Sequence, residues 1–231
     1  MVTSIRDNLE SVRDDIRKAA ALCGRREEEI LLVAVTKTRP VEDVAEAVRC
    51  GVTAVGENRV QELLEKRALW PGGVEPQWRL IGHLQRNKVR KALSVASTVD
   101  SVDSPELAAA LSRIAAEEGR ILPVLLEVNT SGEASKHGVA PGEAEALLHH
   151  ILRNCPSLRP EGFMTIGPLT GGETDVRRAF ALLRTICDSA RGSTGLALPE
   201  LSMGMSGDFF WAVQEGSTMV RVGSSIFGAR R

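Results

Sequence analysis

The sequence predicts a single (β/α)8 barrel of the TIM type, an α/β fold, preceded by one extra amphipathic helix and extending over residues 1–231. Apolar runs of strand length alternate with longer helical patterns, and no long linker or low-complexity segment interrupts the alternation. Eight such strand–helix units in 231 residues fit a closed barrel better than a doubly wound open sheet. With 43% hydrophobic residues, the chain can fill one continuous core.

Each element has its own signal. The first strand, ILLVAVT (30–36), is almost entirely apolar, which is typical of a parallel strand buried on both faces. The seven strands predicted after it are VTAVGE (52–57), WRLIGH (78–83), STVDSV (97–102), LPVLLEVN (122–129), EGFMTIG (161–167), ELSMG (200–204) and MVRVG (219–223). The helical patterns between them include VEDVAEAVRC, RVQELLEKRALW, PELAAALSRIAAEE, PGEAEALLHHILRN and TDVRRAFALLRTICDSAR, and IFGAR begins a last helix.

Composition argues against several classes of function. A net charge of −1 and a pI near 6.5 argue against a general nucleic-acid or membrane-surface binder. No apolar stretch approaches the roughly 20 residues of a membrane span, and the first residues lack the apolar region of a signal peptide, so we expect a cytoplasmic protein. The four cysteines are scattered, which predicts reduced thiols and neither a disulfide framework nor a metal site.

Polar and glycine residues gather where the predicted strands end. In (β/α)8 barrels the chemistry lies at this end, where the strands pass into the βα loops. The residues concerned are Lys37, Glu57, Asn58, His83, Asn129, Met164, Thr165, Gly167, Ser202, Met203, Gly204, Arg221, Gly223 and Ser224.

Three features at these strand ends suggest one ligand. Gly223 and Ser224 follow strand 8, and the loops after strands 7 and 8 are the recurrent phosphate site of these barrels. Strand alternation turns Arg221 into the barrel, either to pair with an interior acid such as Glu57 or to donate to a ligand. Lys37, in turn, either reaches solvent or is held at the mouth of a site. Pyridoxal 5′-phosphate (PLP) requires an amine for its aldehyde, a phosphate cradle and a partner for its ring nitrogen.

Six stretches, in this order, resemble a known family: LLVAVTKTRP, VGENRVQE, WRLIGHLQRNKVR, VNTSGEASKHGV, GFMTIGP and LSMGMSGDFFWAVQEGSTMVRVGSSIFGAR. They are similar to the YggS/PROSC family of pyridoxal phosphate homeostasis proteins, and the resemblance covers nearly the whole chain. It implies a single barrel like the N-terminal domain of alanine racemase, of the PLP fold-type III. Two departures are Val55, where we expect phenylalanine, and Ser224, where threonine is common.

The resemblance also implies the site residues. Lys37 would form the Schiff base with PLP, and Arg221 would face the pyridine nitrogen. The phosphate would lie against Ser202, Gly223 and Ser224, and the same pocket would include Asn58 and Met203.

Two functions of different classes follow, together with a third that needs no PLP. The protein is either a carrier that buffers PLP and delivers it to apo-enzymes, or a PLP-dependent amino-acid racemase of the alanine racemase type. A phosphosugar-metabolising barrel is the third. Alanine racemase chemistry uses a tyrosine from a second domain, and this chain has no tyrosine. An arginine opposite the ring nitrogen leaves that nitrogen unprotonated, which makes a poor electron sink. We therefore favour a carrier that maintains vitamin B6 homeostasis, acts as a monomer and has no catalytic residues.

Two interpretations stay open for several other polar residues. His83 is either a group on the ligand side or a structural hydrogen-bonding residue. Lys136 and His137 lie in the loop after strand 5, which either closes over the site or is simply solvated. His149 and His150 are neighbours in a helical pattern, so they cannot bind one metal from one helix face.

Overall fold

Eight parallel strands close into a barrel in a computed structural model, which describes residues 4–228. Each strand pairs with its neighbours in sequence, and β8 closes the barrel against β1. The strands are β1 (Leu31–Val35), β2 (Ala54–Glu57), β3 (Gln77–Leu80), β4 (Thr98–Val102), β5 (Leu122–Glu127), β6 (Leu158–Met164), β7 (Glu200–Ser202) and β8 (Met219–Val222). The predicted fold class is confirmed.

Helices alternate with these strands. They are α1 (Ile5–Leu22), α2 (Val41–Arg49), α3 (Val60–Ala68), α4 (Val89–Leu93), α5 (Pro105–Glu117), α6 (Ala144–Asn154), α7 (Glu173–Thr194), α8 (Phe209–Gln214) and α9 (Ser224–Phe227). Of the predicted IFGAR helix, Ala229 and Arg230 lie outside the described residues. In the part of the chain that is described, no helix has both the length and the apolar character that crossing a bilayer requires.

The extra N-terminal helix packs against α8 and α9. Ser4 caps α1 by accepting the amide hydrogen of Asp7. The buried face of the helix carries Leu9, Val12 and Ile16 into the main core. The side-chain amide of Asn8 donates to the carbonyl of Ile226 over 2.8 Å, so α1 also holds α9 in place.

Strand alternation divides the core into two apolar clusters. The larger one fills the space between the strands and the helices and includes Val220 and Val222. The smaller one lies inside the barrel and consists of Val33, Ala54, Leu125, Met164 and Met219. Because residues at odd positions of β8 face inward, Arg221 follows Met219 into the interior, as alternation predicts.

The barrel interior also contains charged side chains. Arg79 of β3 is 1% exposed and binds both carboxylate oxygens of Asp100, at 2.8 and 3.1 Å. Its second partner is Glu200 of β7, at 2.7 Å. This network ties β3, β4 and β7 together, and the sequence analysis did not predict it.

Strand 6 begins earlier than predicted, at Leu158 instead of residue 161. Pro160 argues against a strand, since proline cannot donate to the ladder. In the structure, Pro160 pairs with Val124 beside a shift of register, where Glu161 is the extra residue of a bulge. The bulge accommodates the proline, and the ladder resumes at Gly162.

Candidate functional site

A pocket of about 350 Å³ lies at the carboxyl ends of the strands. Five of the residues singled out from the sequence border it: Lys37, Asn58, Arg221, Gly223 and Ser224. Ile81, Ile166, Met205, Ser206 and Gly207 contribute further to its wall. The strand-end residues are therefore brought together around one cavity, at the end of the barrel that the fold predicts.

Lys37 follows β1 and is half-buried. The residue before it, Thr36, is fixed by its amide, which donates to the carbonyl of Gly56 over 3.0 Å. The residue after it, Thr38, has φ of 64°, a left-handed conformation that is uncommon for threonine. Its amide donates to Glu62 of α3 over 2.7 Å. Backbone strain held in this way is frequent at ligand sites, and here it fixes the direction in which Lys37 leaves the strand.

A buried ion pair behind the pocket supports that segment. Glu57 lies at the end of β2 and is fully buried, and Lys66 of α3 binds its carboxylate. Lys66 also donates to the carbonyl of Thr36, and the hydroxyl of Thr36 donates to Glu57. Burial raises the pKa of Glu57, and the charge of Lys66 opposes that change. Glu57 therefore faces α3, and its suggested pairing with Arg221 is wrong.

Arg221 is 4% exposed and reaches the pocket floor from β8. Its Nη1 donates to the Ser202 hydroxyl over 2.6 Å, and its Nη2 donates to the Thr165 carbonyl over 2.7 Å. Burial lowers the pKa of this guanidinium, while the carboxylates of Asp100 and Glu127 act to raise it. Two neutral oxygens thus orient the side chain, which leaves further N–H groups for a ligand.

The loops after β7 and β8 meet beside Arg221. The Ser206 hydroxyl accepts the amide hydrogens of Gly223, over 3.2 Å, and Ser225, over 3.4 Å. These amides therefore converge on one oxygen, as they would on an anion. A Cβ added at Gly223 would lie 3.1 Å from the carbonyl oxygen of Val35, so glycine permits the close approach of β8 to β1.

Two predicted site residues lie beneath the pocket and not on its wall. Ser202 and Met203 are both fully buried, and Ser202 touches the pocket only through Arg221. Ser206 was missed by the sequence analysis, although it belongs to the LSMGMS stretch after strand 7. Its location on the phosphate loop of such barrels could have indicated it.

Glu127 is a buried acid at the end of β5. It is 4% exposed, and its Oε2 has no hydrogen-bond partner. Burial raises its pKa to about 7, with a further contribution from Asp103 and an opposing one from Arg221. Close to neutral pH this group therefore exchanges a proton next to the buried guanidinium.

The remaining polar residues lie outside the pocket. His83 Nδ1 contacts Asp103 Oδ2 at 3.2 Å, which supports a hydrogen-bonding role. Lys136 is half-buried, pairs with Glu133 at 3.1 Å and donates to the carbonyl of Gly167. His149 lies near Glu145 of its own helix. Lys136 is thus bound to protein groups and is not simply solvated.

Comparisons with known proteins place this chain among relatives over nearly its whole length. The family model described as "Alanine racemase, N-terminal domain" matches residues 8–231. The pyridoxal phosphate homeostasis protein of Aquifex aeolicus is 38% identical over 97% of this chain and 98% of its own. The mouse protein of the same name is 43% identical over 86% of this chain and 76% of its own. The structure of PipY of Synechococcus elongatus with PLP bound has a TM-score of 0.85 and 35% identity, and the match covers 97% of this chain and 100% of PipY.

The donor groups of the pocket fit the same cofactor. The pocket of about 350 Å³ is bordered by an amine, a guanidinium and the Ser206 hydroxyl, on which two backbone amides converge. An aldehyde, a ring nitrogen and a phosphate are the groups that such donors would bind.

Proposed function

The chain belongs to the family of pyridoxal phosphate homeostasis proteins, and on that premise we propose that it binds PLP in the pocket at the strand ends and carries it for other enzymes. The observation that carries the proposal is that Lys37, Arg221 and Gly223 border one cavity, where the amides of Gly223 and Ser225 converge on the Ser206 hydroxyl. When bound, the cofactor would supply an electrophilic aldehyde that exchanges between amines.

Each residue then has a separate role. The amine of Lys37 would hold the aldehyde carbon, at a backbone segment fixed by Glu62 on one side. The amides of Gly223 and Ser225 would donate to phosphate oxygens in place of the Ser206 hydroxyl. Ser224 and Asn58 would border the ligand. Ser202 would act through Arg221, whose direction it fixes.

Arg221 favours a carrier over an enzyme that needs a strong electron sink. A guanidinium can only donate hydrogen bonds and keeps its positive charge, so a ring nitrogen facing it stays unprotonated. Such a ring withdraws electrons weakly, which disfavours transamination and decarboxylation. The chain also contains no tyrosine, the residue that serves as the second base in racemases of this type.

The half-buried setting of Lys37 suits exchange. An incoming amine needs access to the covalently held carbon, and the pocket opens at the barrel mouth where Lys37 and the exposed Asn58 lie. We expect apo-enzymes that require PLP to be the recipients. We also expect a monomer located in the cytoplasm.

Two assays test this function. The PLP-loaded protein, mixed with an apo-enzyme that requires PLP, should restore its activity in proportion to the cofactor supplied. A Lys91→Ala variant should behave in the same way. The Lys37→Ala variant should lose its PLP on gel filtration and therefore restore no activity. In deuterated water, Cα exchange of L- and D-amino acids should stay near background. Rapid exchange that depends on Lys37 would establish the racemase instead, and failure of the protein to bind PLP at all would favour the phosphosugar barrel.

A further inference from the structure

A second cluster of titratable side chains lies at the barrel rim, outside the pocket wall. His83 follows β3, Asp103 follows β4, and His137 lies in the loop after β5. Each offers one ligand atom, and these three atoms lie within 4.8 Å of one another. Among residues 4–228, no other group of three histidine, cysteine or acidic side chains meets that condition.

We propose that His83, Asp103 and His137 form a binding site for a divalent transition-metal ion of the zinc class. Two imidazoles and one carboxylate are a donor set that zinc accepts, and one that magnesium and calcium disfavour because they prefer oxygen ligands. With three protein ligands, the fourth position is left to water. The depression beside the cluster, lined by His83, Asp103 and Glu106, gives solvent access to that position.

The backbone of the loop that carries His137 is already fixed. The amide of Asn129 donates to Val139 and that of Val139 donates to Glu127, both over 2.9 Å, so the two ends of the His137 loop are joined. Gly138 has φ of 106°, and a Cβ there would lie 2.7 Å from the Asn129 nitrogen, which shows how closely the loop packs on itself. Little backbone ordering is therefore needed to bring His137 to the site.

The side chains need one rearrangement. The rings of His83 and His137 are stacked, with centroids 4.0 Å apart and planes 9° from parallel. Parallel rings cannot both direct their in-plane lone pairs at one ion, so one ring must turn. His83 and Asp103 are already in contact at 3.2 Å, and Ser104 donates to the other Asp103 oxygen over 3.3 Å. We therefore expect His137 to turn, which its exposure permits.

Ligands of a tetrahedral zinc ion lie about 3.3 Å apart, given bonds near 2.0–2.1 Å. The donors here lie within 4.8 Å of one another, so they must approach by about 1.5 Å at most. Two exposed histidine side chains can make that movement by rotation alone. The bound ion would join the ends of β3 and β4 to the loop after β5.

This site does not depend on PLP binding, so its test uses the metal alone. The purified protein is titrated with Co²⁺, which reports tetrahedral coordination through its visible absorption, and with Zn²⁺ by calorimetry. We expect one ion per chain. His83→Ala, His137→Ala and Asp103→Asn should each weaken binding by about tenfold or more.

The chain supplies a matched control. It has four histidines, and the double variant His149→Ala/His150→Ala removes the other two. That variant should bind the ion with unchanged affinity. The proposal is overturned if no stoichiometric binding occurs, if the control loses binding, or if near-ultraviolet absorption of Co²⁺–thiolate bonds identifies cysteines as the ligands. Circular dichroism of each variant without metal checks that the fold is retained.

Discussion

Replacing Glu127 by glutamine should change how the stability of the barrel depends on pH. The carboxyl is 4% exposed and one of its oxygens has no hydrogen-bond partner, so its charge is poorly solvated in the folded protein. Glutamine has nearly the same shape and never ionises. The comparison therefore isolates the free energy of ionising this one buried group.

The direction of the pH dependence follows from the raised pKa of Glu127. As pH rises above 4.5, the ordinary value for glutamate, Glu127 loses its proton in the unfolded chain but keeps it in the folded protein until about pH 7. Unfolding releases a proton in this range, so the wild-type protein loses stability with rising pH. The difference between pKa values of 4.5 and about 7 corresponds to about 3 kcal/mol in the free energy of unfolding.

Urea unfolding of both proteins between pH 4.5 and 8 measures this difference. The free energy of unfolding of Glu127→Gln, relative to that of wild type, should rise by about 3 kcal/mol up to about pH 7 and then stay constant. Glu117→Gln is a control that should show almost no pH dependence in this range, because hydrogen bonds from Arg90 lower the pKa of this exposed carboxyl and it stays ionised in both the folded and the unfolded chain. A difference between Glu127→Gln and wild type that does not vary with pH would refute the reasoning.

Three further predictions concern the residues around the pocket. Lys66→Met leaves the Glu57 carboxylate buried without its cation and should lower the free energy of unfolding in urea by about 3–5 kcal/mol; an unchanged value would show that the pair does not support the fold. In Gly223→Ala, the added methyl group would lie 3.1 Å from a carbonyl oxygen of β1 and displace the amide, so PLP affinity in equilibrium dialysis should fall about tenfold. Equal affinity would exclude this loop from the phosphate site. Ser202→Ala removes the hydroxyl that accepts from Arg221 over 2.6 Å, so the free energy of unfolding measured by thermal denaturation should fall by about 1–3 kcal/mol. A smaller effect would mean that water replaces the hydroxyl.

The barrel and its functional end could be predicted because both depend on short-range patterns. The apolar run of β1 indicates a buried parallel strand that ends just before Lys37, and the structure places this residue on the pocket. The inward direction of Arg221 follows from alternation with Met219, which needs only the strand period of two. These features are encoded within a few neighbouring residues.

Other features depend on which residues meet across the fold. Glu57 lies between the barrel interior and α3, and only the structure shows that it forms its ion pair with Lys66. The bulge at Glu161 that accommodates Pro160 is a property of two strands together. The approach of Ser206 to the amides after β8 joins two loops whose conformations the sequence does not specify.

The identity of the lysine that holds the cofactor tests the account most directly. The protein is incubated with PLP, reduced with borohydride and digested, and the peptides carrying the added mass are located by mass spectrometry. The label should be found on the peptide containing Lys37, and the yellow colour and label should both be lost in Lys37→Ala but kept in Lys91→Ala. Stoichiometric label at a different lysine in the wild-type protein, with Lys37 unmodified, would contradict the assignment of the pocket.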